Sequence, residues 1–566
     1  MNNSEIVHSL LAIADGLEFL GDNPFKIRAY RKAAQSIASL DAPVDSMIEK
    51  GELSQIDGVG KAIAAKIEAW VKLGDFSALE KIRDKVPSGM AELVKVPGLG
   101  MKRLRLLSDQ LGIDTLDDLL DACRKGRLSG IKGFPEKGVE RLADAIERVM
   151  GYRGRYLINV SLDHAKDMLL RLRASGLNAE LTGECRRTME VITSIEFLVE
   201  KSPKAHELIR GCLGDAAADI DSRTIMAPPS PNTPPVFCRI TEREDFPLAL
   251  FFSTGSKGHL DRMKGIAVEK GLVLGERGIT SKDGPVVIRD EKDIYRILGL
   301  LYIPAEIREE ESGLFSGSDD SVPLLIAGKD VKGTLHNHTT YSDGTAGLRE
   351  LVMQARDMGY AWIGISDHSQ SAYYAGGMSI EEVQRQSREI DELNRDIEGI
   401  TIFKGIESDI LKDGSLDYPD EVLAGFDFVI ASIHSHMDMK KEEMTRRIIR
   451  ALKNPFTTIL AHPSGRLLLS REPYEADMDL VLAEALNNRV MVELNANPMR
   501  LDIDWRYIPG FVRAGGMISI GPDAHNSRGL DDMSYGIMMA RKGLVSAENC
   551  LNTLDAEGVR RVFSGT

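Results

Sequence analysis

The apolar positions of the first 150 or so residues recur at helical spacing, in short amphipathic stretches with little strand character. Between these stretches a motif returns: an apolar residue, a tight glycine-containing turn, then a helix. It reads Ile56-Asp57-Gly58-Val59-Gly60-Lys61, then Val96-Pro97-Gly98-Leu99-Gly100-Met101-Lys102, and less cleanly Ile131-Lys132-Gly133-Phe134. Glycine in such a turn permits positive φ and the close approach of another backbone, and the helix that follows opens with free N–H groups. With Lys61 or Lys102 beside them, those amides form a site for phosphate. Gly58, Gly60, Lys61, Gly98, Gly100 and Lys102 therefore predict helix-hairpin-helix motifs gripping a DNA backbone without regard to sequence. Ordinary helix-turn-helix connections are the alternative.

From about Tyr152 to Arg308 helix and strand patterns mix, and the strand-like run Val191 to Val199 is the clearest β signal. The proline-rich segment Ala227 to Pro235 predicts a surface loop, because proline fixes φ and removes donors. Glu309 to Asp320, rich in Glu, Gly, Ser and Asp and without periodicity, predicts a linker over 309–330. Beyond it the rhythm changes. Apolar runs at 331–335, 362–366, 401–406, 426–432, 457–461, 489–494 and 517–521 each end abruptly in a polar residue and lead into a helical pattern. Their starts lie about thirty residues apart, one βα unit each, and such wholly apolar strands predict a closed parallel barrel covered by helices.

At 566 residues the chain is too long for one core. Its 43% hydrophobic and 28% charged residues exclude a disordered or fibrous protein. No apolar run approaches the roughly 18 residues that would span a bilayer. The N-terminal apolar stretch contains Glu5 and Asp15 and lacks a basic start, unlike a signal peptide. Five scattered cysteines without a C-x-x-C pair suit reduced thiols, and with these features predict a cytoplasmic protein, read as a monomer. A net charge of -15 argues against indiscriminate coating of polyanions, yet carboxylates gathered around metal ions would inflate it.

The candidate chemistry lies at the ends of the barrel strands. His336-Asn337-His338 and Asp343 follow the first, Asp367-His368 the second, Glu407 the third, His434 the fourth, His462 the fifth and Asp523-Ala524-His525 the seventh. Strand C-termini converge on one mouth of such a barrel. His336, His338, Asp343, His368, Glu407, His434, His462, Asp523 and His525 exceed what one ion needs. They predict two or three divalent ions, with Glu407 shared between two of them. Mixed imidazole and carboxylate ligands suit Zn, Mn or Fe. Such a cluster activates water and clamps phosphate oxygens, so the expected reaction is phosphoester hydrolysis.

Thr334-Leu335-His336-Asn337-His338-Thr339 resembles the opening motif of the PHP (polymerase and histidinol phosphatase) family. Gly405 to Leu411, Ala461 to Leu467, Leu494 to Asp502 and Ala540 to Gly543 resemble the PHP domain fused to bacterial and archaeal family X DNA polymerases. The resemblance implies one ion on His336, His338, Glu407 and Asp523. It implies a second on Glu407, His434 and His462, and a third on Asp343, His368 and His525. His336, His338, Glu407 and Asp523 would be catalytic. Arg466 would join them as a phosphate clamp, or hold a loop by an ion pair; His436 has no assigned role.

The resemblance extends through the first half. Pro24 to Ala34 is similar to the start of the small N-terminal domain of family X polymerases. Ser253-Thr254-Gly255-Ser256-Lys257 is similar to their sugar-contacting turn, which adds Thr254 and Gly255 to the DNA contacts. Gly183-Glu184-Cys185-Arg186-Arg187 is similar to their nucleotide-binding loop, with Glu184 in place of serine. The implied fold is multidomain. Helical helix-hairpin-helix regions occupy 1–85 and 86–150, an α/β nucleotidyltransferase-like palm 151–250 and a thumb 251–308. The linker then leads into a (β/α)7 PHP barrel at 331–566.

Where the family needs three aspartates for magnesium, this chain aligns Ser194, Glu196 and Phe237, and Gly275 stands where asparagine is usual. Polymerase activity by the family mechanism is expected to be lost unless Glu190 and Glu196 substitute. Arg186 and Arg187 would bind a phosphate or pair with nearby acids. The expectation is a DNA-processing enzyme acting on ends, gaps or single strands in repair: a 3′–5′ exonuclease, with abasic-site or 3′-phosphate hydrolysis as extensions. The alternatives are a phosphatase of a small molecule such as histidinol phosphate and a non-catalytic DNA-binding scaffold.

Overall fold

A computed structural model describes residues 3–38, 40, 43–230, 233–310 and 323–565. The chain divides into two units, Met1–Arg153 and Gly154–Thr566. Among the described residues, no helix is long and apolar enough to cross a membrane.

The first unit is helical throughout, as its apolar spacing predicts. Asn3–Leu20, Pro24–Ala38, Val44–Lys50 and Lys61–Leu73 bury Leu10, Ile13, Ile37, Ile67 and Trp70 in one cluster. A second cluster, with Leu93, Leu107, Leu116, Leu119 and Ile146, is built by the helices between Met90 and Gly151. The three glycine turns share one geometry. Gly58, Gly98 and Gly133 have φ of +79°, +78° and +96°, and the apolar residue after each donates its N–H to the carbonyl three residues back, Val59 to Ile56, Leu99 to Val96 and Phe134 to Ile131. Burial of Val59, Leu99 and Phe134 plugs each turn into its core.

The second unit begins with a five-stranded sheet in the order Ala179–Thr182, Ile195–Glu200, Val236–Thr241, Thr224–Ala227, Ala218–Asp221. Its Ile195–Glu200 and Val236–Thr241 strands are parallel and the other pairings antiparallel. The proline-rich segment joins the strands ending at Ala227 and starting at Val236, and residues 231 and 232 lie outside the described residues. A small antiparallel sheet over Val273–Gly275, Gly278–Ser281 and Gly284–Val286 then packs with helices around Phe251, Met263 and Tyr295. Of the expected linker, 311–322 lies outside the described residues. The described ends are not loose: Arg308 and Ile326 are fully buried, and Ile326 donates to the Val545 carbonyl at 2.9 Å. Glu309, whose charge favoured a linker reading, is buried and paired with Arg187 and Lys542.

The last part is a parallel barrel whose seven strands follow chain order: Gly333–Thr334, Trp362–Ile365, Thr401–Asp409, Phe428–Ser432, Ile459–Leu460, Met491–Asn495 and Ile518–Gly521. The first and last meet through the bridge of Asn337 with Ala524, just beyond the strand ends. Strand residues are buried on both faces, which is why the sequence shows apolar runs rather than alternation. Glycine makes room for a large side chain inside: a Cβ on Gly364 or Gly405 would stand 2.7 or 2.1 Å from the Phe428 ring. Phe428 therefore fills the barrel, and the polar residues are left to its mouth.

Candidate metal centre

The strand ends bring all nine predicted residues to that mouth. Glu407, at the end of the third strand, is fully buried and ringed by imidazoles. Its Oε1 lies 2.9 Å from His462 Nε2 and 3.3 Å from the Nε2 atoms of His336 and His434. Its Oε2 lies 2.8 Å from His368 Nδ1 and 3.6 Å from His338 Nε2. Asp523 Oδ1 stands 3.2 Å from His338 Nε2 and 3.5 Å from His336 Nε2. Asp343 Oδ1 is 3.3 Å from His525 Nε2 and 3.6 Å from His368 Nε2.

Ligand atoms within 4.8 Å of one another form four overlapping groups: His338, Asp343, His368 and His525; His336, His338 and Glu407; His336, His462 and Asp523; His368, Glu407 and His434. The sets overlap more than the three expected from the sequence, with His336, His338 and His368, like Glu407, each reaching two groups. His436 is exposed and belongs to none of the four.

The residues fit a cation. His336 Nε2, both ring nitrogens of His338, His368 Nδ1 and Glu407 Oε2 are buried without a hydrogen-bond partner. Burying such atoms unsatisfied is costly, and lone pairs converging without protons between them are what a divalent ion satisfies. Protonation tells the same story. Burial pushes the His338 imidazole down to about 3, helped by His368 beside it. Burial and then Arg500 bring His462 to about 3, so both rings present lone pairs at neutral pH. Burial opposes ionisation of Glu407, yet His434, His368 and His336 together hold it well below its ordinary value. Burial likewise opposes the charge on His434, but Glu407 and Asp409 raise it to about 10. A bound cation would take the place of such protons.

The backbone is bent to make this convergence. His336, His462 and Asp523 have φ of +62°, +27° and +54°, a region that residues with a Cβ rarely enter. Asp367, at the second strand end, is no ligand. It accepts hydrogen bonds from the Thr339 N–H and hydroxyl, both at 2.7 Å, and from Gln386 at 2.6 Å, bolting down the loop that carries His336 to Asp343.

Supporting residues emerge that the sequence reading passed over. Glu493 bonds His336 Nδ1 with one oxygen and accepts the His462 N–H at 2.7 Å with the other. Asp409 bonds His434 Nδ1 at 2.6 Å. A carboxylate on one ring nitrogen fixes the tautomer and aims the other at a metal. The available signal was the sixth strand, the one strand end given no site residue, where Glu493 and Asn495 share a face at spacing two.

Arg466 differs from the expected clamp. Its guanidinium is buried against the Asp504 carboxylate at 2.6 Å, the Arg500 carbonyl at 3.0 Å and the Leu501 carbonyl. It holds the 497–507 loop, the second of its two sequence readings. That loop instead brings Arg500 to the mouth, where its Nε lies 3.2 Å from Asp523 Oδ2.

In the five-stranded sheet, Glu196 is in register with Phe237 across the parallel pair. The Ser194 hydroxyl donates to Glu196 at 2.8 Å. Glu184 accepts from the Thr193 N–H at 2.6 Å and its hydroxyl at 2.8 Å. Arg186 makes a two-point ion pair with Glu291, at 3.0 and 2.9 Å, and donates to the Thr254 hydroxyl at 2.5 Å. Arg187 pairs with Glu309 at 2.7 Å and donates to the Thr254 carbonyl at 2.8 Å. The Thr254–Gly255 turn is thus held by the two arginines, with Thr254 buried. Glu190 is spent elsewhere, accepting from Trp505 Nε1 at 3.1 Å and Arg506 at 2.7 Å. In the first unit Gly60 and Gly100 precede the helices Lys61–Leu73 and Met101–Leu111, and Lys61 and Lys102 are exposed on their first turns.

Comparison with known proteins agrees with this arrangement. Residues 1–76 match the helix-hairpin-helix domain, 90–148 the SAM-like helix-hairpin-helix tandem, 249–309 the DNA polymerase beta thumb and 334–497 the PHP domain. The chain is 35% identical over 567 residues to the DNA polymerase/3′-5′ exonuclease PolX of Bacillus subtilis, covering 99% of each. It is 27% identical over 242 residues to a probable phosphatase of Thermoanaerobacter, covering 39% of this chain and 91% of that one. Over 170 residues it is 31% identical to a probable phosphatase of Caldicellulosiruptor saccharolyticus, covering 28% and 64%.

Proposed function

The chain belongs to the family X DNA polymerases that carry a C-terminal PHP domain, and from that premise we propose that its PHP domain removes nucleotides from DNA 3′ ends while its polymerase site is inactive. The observation that carries the reading is Glu407, a buried carboxylate encircled by five imidazoles, among which His336 Nε2, both nitrogens of His338, His368 Nδ1 and Glu407 Oε2 itself are buried without a hydrogen-bond partner. Divalent ions held there supply Lewis acidity toward phosphate oxygens and lower the pKa of water. The chain's own residues do the rest. Glu493 and Asp409 fix the tautomers of His336 and His434. Arg500 sets a permanent positive charge beside the cluster, where a phosphodiester gains charge as it is attacked. The glycine hairpins of the first unit grip the DNA backbone, a use a small-molecule phosphatase would not have.

Loss of polymerization is supported by the sheet residues. Ser194, Glu196 and Phe237 offer one carboxylate where two magnesium ions need three. Arg186 and Arg187, suited to a triphosphate, are neutralised by Glu291 and Glu309.

The test is incubation with Mn²⁺ and end-labelled single-stranded or gapped DNA, with and without dNTPs, beside a His336→Ala/His338→Ala variant. Stepwise shortening that disappears in the variant and in chelator is expected. Primer extension would refute the inactive polymerase, and turnover of histidinol phosphate without any reaction on DNA would refute the nuclease.

A further inference from the structure

Two adjacent aromatic side chains after the second barrel strand are left largely exposed among the described residues, and one of them stands at the barrel mouth. Tyr373 and Tyr374 form a single 3₁₀ turn, Tyr373–Ala375, after the second strand, and are 84% and 71% exposed. Large aromatic rings are normally buried, so a solvent-facing pair beside a polar centre calls for a partner. Tyr374 is close to the chemistry: its ring centre lies 6.4 Å from that of His368 and 6.3 Å from that of His434.

The turn is built rather than loose. Ser371 donates its N–H to Asp417 at 2.7 Å and its hydroxyl to Asp409 at 3.0 Å. The same Asp409 fixes His434, so the tyrosines and a metal-facing imidazole share one anchor. On the return side Met378 donates its N–H to the His368 carbonyl at 2.9 Å. Gly377 lets the two sides close, since a Cβ there would stand 1.9 Å from the Ser369 carbonyl oxygen. A rigid turn with short aromatic side chains loses little entropy on binding.

Resting on the nuclease reading, we propose that Tyr374, flanked by Tyr373, is a stacking platform for the base of the 3′-terminal nucleotide whose phosphodiester is cut. The ring face accepts any base, which suits a nuclease without sequence preference, because every base has a π face. It also separates nucleic acid from small phosphate esters. A phosphate alone satisfies the metal centre and Arg500, whereas a nucleotide satisfies the tyrosine as well.

The test crosses enzyme with substrate. The full-length protein with Mn²⁺ is given one oligonucleotide ending in a normal nucleotide and another ending in an abasic tetrahydrofuran residue. The substitutions are Tyr374→Ala, Tyr374→Phe and Tyr373→Ala. On the normal end, Tyr374→Ala should lower kcat/KM by roughly tenfold to a hundredfold, the range for one lost base–aromatic stack. Tyr374→Phe should stay within about threefold of wild type, since the ring and not the hydroxyl does the work, and Tyr373→Ala should show a smaller loss. On the abasic end, wild type and Tyr374→Ala should be equal, because the substrate has nothing to stack. Equal losses on both substrates would overturn the proposal by making Tyr374 a support of the metal site. Unchanged cleavage of the normal end by Tyr374→Ala would overturn it as well. A wild-type protein that shortens neither substrate would remove the nuclease reading itself, an outcome distinct from those two.

Discussion

The Arg500 guanidinium ends 3.2 Å from Asp523, and its charge is felt by Glu407 and Glu493 as well. A fixed cation among these carboxylates can balance their charge or meet an incoming phosphate, and the two uses separate experimentally. Arg500→Ala should lower kcat on DNA by about a hundredfold, as removal of one preorganised donor does, while metal content measured by elemental analysis stays unchanged. Loss of metal instead would assign the arginine to charge balance. Arg466 is the contrast. Both arginines lie in stretches that the family resemblance marks, and nothing local says which one faces the mouth. That is decided by the backbone of 497–507, pinned from afar by Ile503 to the Glu493 carbonyl at 3.1 Å and by Ser464 to Asp502. The nine candidate ligand positions were legible because each lies at a strand end or in the loop directly after one. Glu493, Asp409 and Tyr374 were not, because their roles depend on what stands opposite them.

On the proposed reading the glycine hairpin is the element that grips DNA, and its copies differ in a way that can be measured. Gly98 has open space where a Cβ would go, so Gly98→Ala pays only for left-handed backbone, about 1–2 kcal/mol. Gly58 is packed against its own core. A Cβ there would stand 3.0 Å from Ala33 N and 3.1 Å from the Lys32 carbonyl carbon, so Gly58→Ala should cost more, read as a larger fall in midpoint on chemical denaturation. Lys61→Ala and Lys102→Ala should leave that midpoint alone. Each should reduce the slope of log affinity for DNA against log salt by about one if each lysine neutralises a single phosphate. A slope unmoved by both changes would leave the hairpins as plain helix connections. The barrel strands were as legible as the hairpins, because burial on both faces writes an uninterrupted apolar run. The five-stranded sheet was harder to read: the run from Val191 to Val199 splits into Val191–Ile192 and Ile195–Glu200, with Thr193 and Ser194 between them tied to Glu184 and Glu196.

Across the second unit, buried charge joins the sheet, the thumb and the barrel. Glu291 receives Arg186 and Arg308, and Arg308 is fully buried. Burial raises the Glu291 carboxyl, but hydrogen bonds from Arg308 and Arg186 outweigh it and hold the group at about 2, below its ordinary 4.5. Since the folded value is the lower one, its stabilisation is complete above pH 4.5 and is lost as pH falls toward 2. Glu291→Gln should therefore lower Tm at pH 7 and flatten the acid limb of a Tm-against-pH curve. The barrel is tied in by Lys542, fully buried, which donates to the carbonyls of Arg187 and Glu306 and to Glu309, each at 3.0 Å, and lies 4.7 Å from the Trp505 ring centre. Trp505 and Arg506 both end on Glu190, the residue just before the Val191–Ile192 strand, and both belong to the loop that carries Arg500. The segment before the barrel thereby braces the loop that brings Arg500 to the barrel mouth. Glu190→Ala would leave the Trp505 N–H buried without its acceptor, a loss of roughly 1–3 kcal/mol, and leave Arg506 with only the Asp504 carboxylate. It should lower Tm and also kcat on DNA, although Glu190 touches no ligand of the cluster. Glu190→Gln, which keeps an acceptor for the tryptophan, should restore most of kcat while recovering only part of Tm. A Glu190→Ala enzyme that is less stable but cuts DNA at the wild-type rate below its Tm would show that the brace carries stability alone.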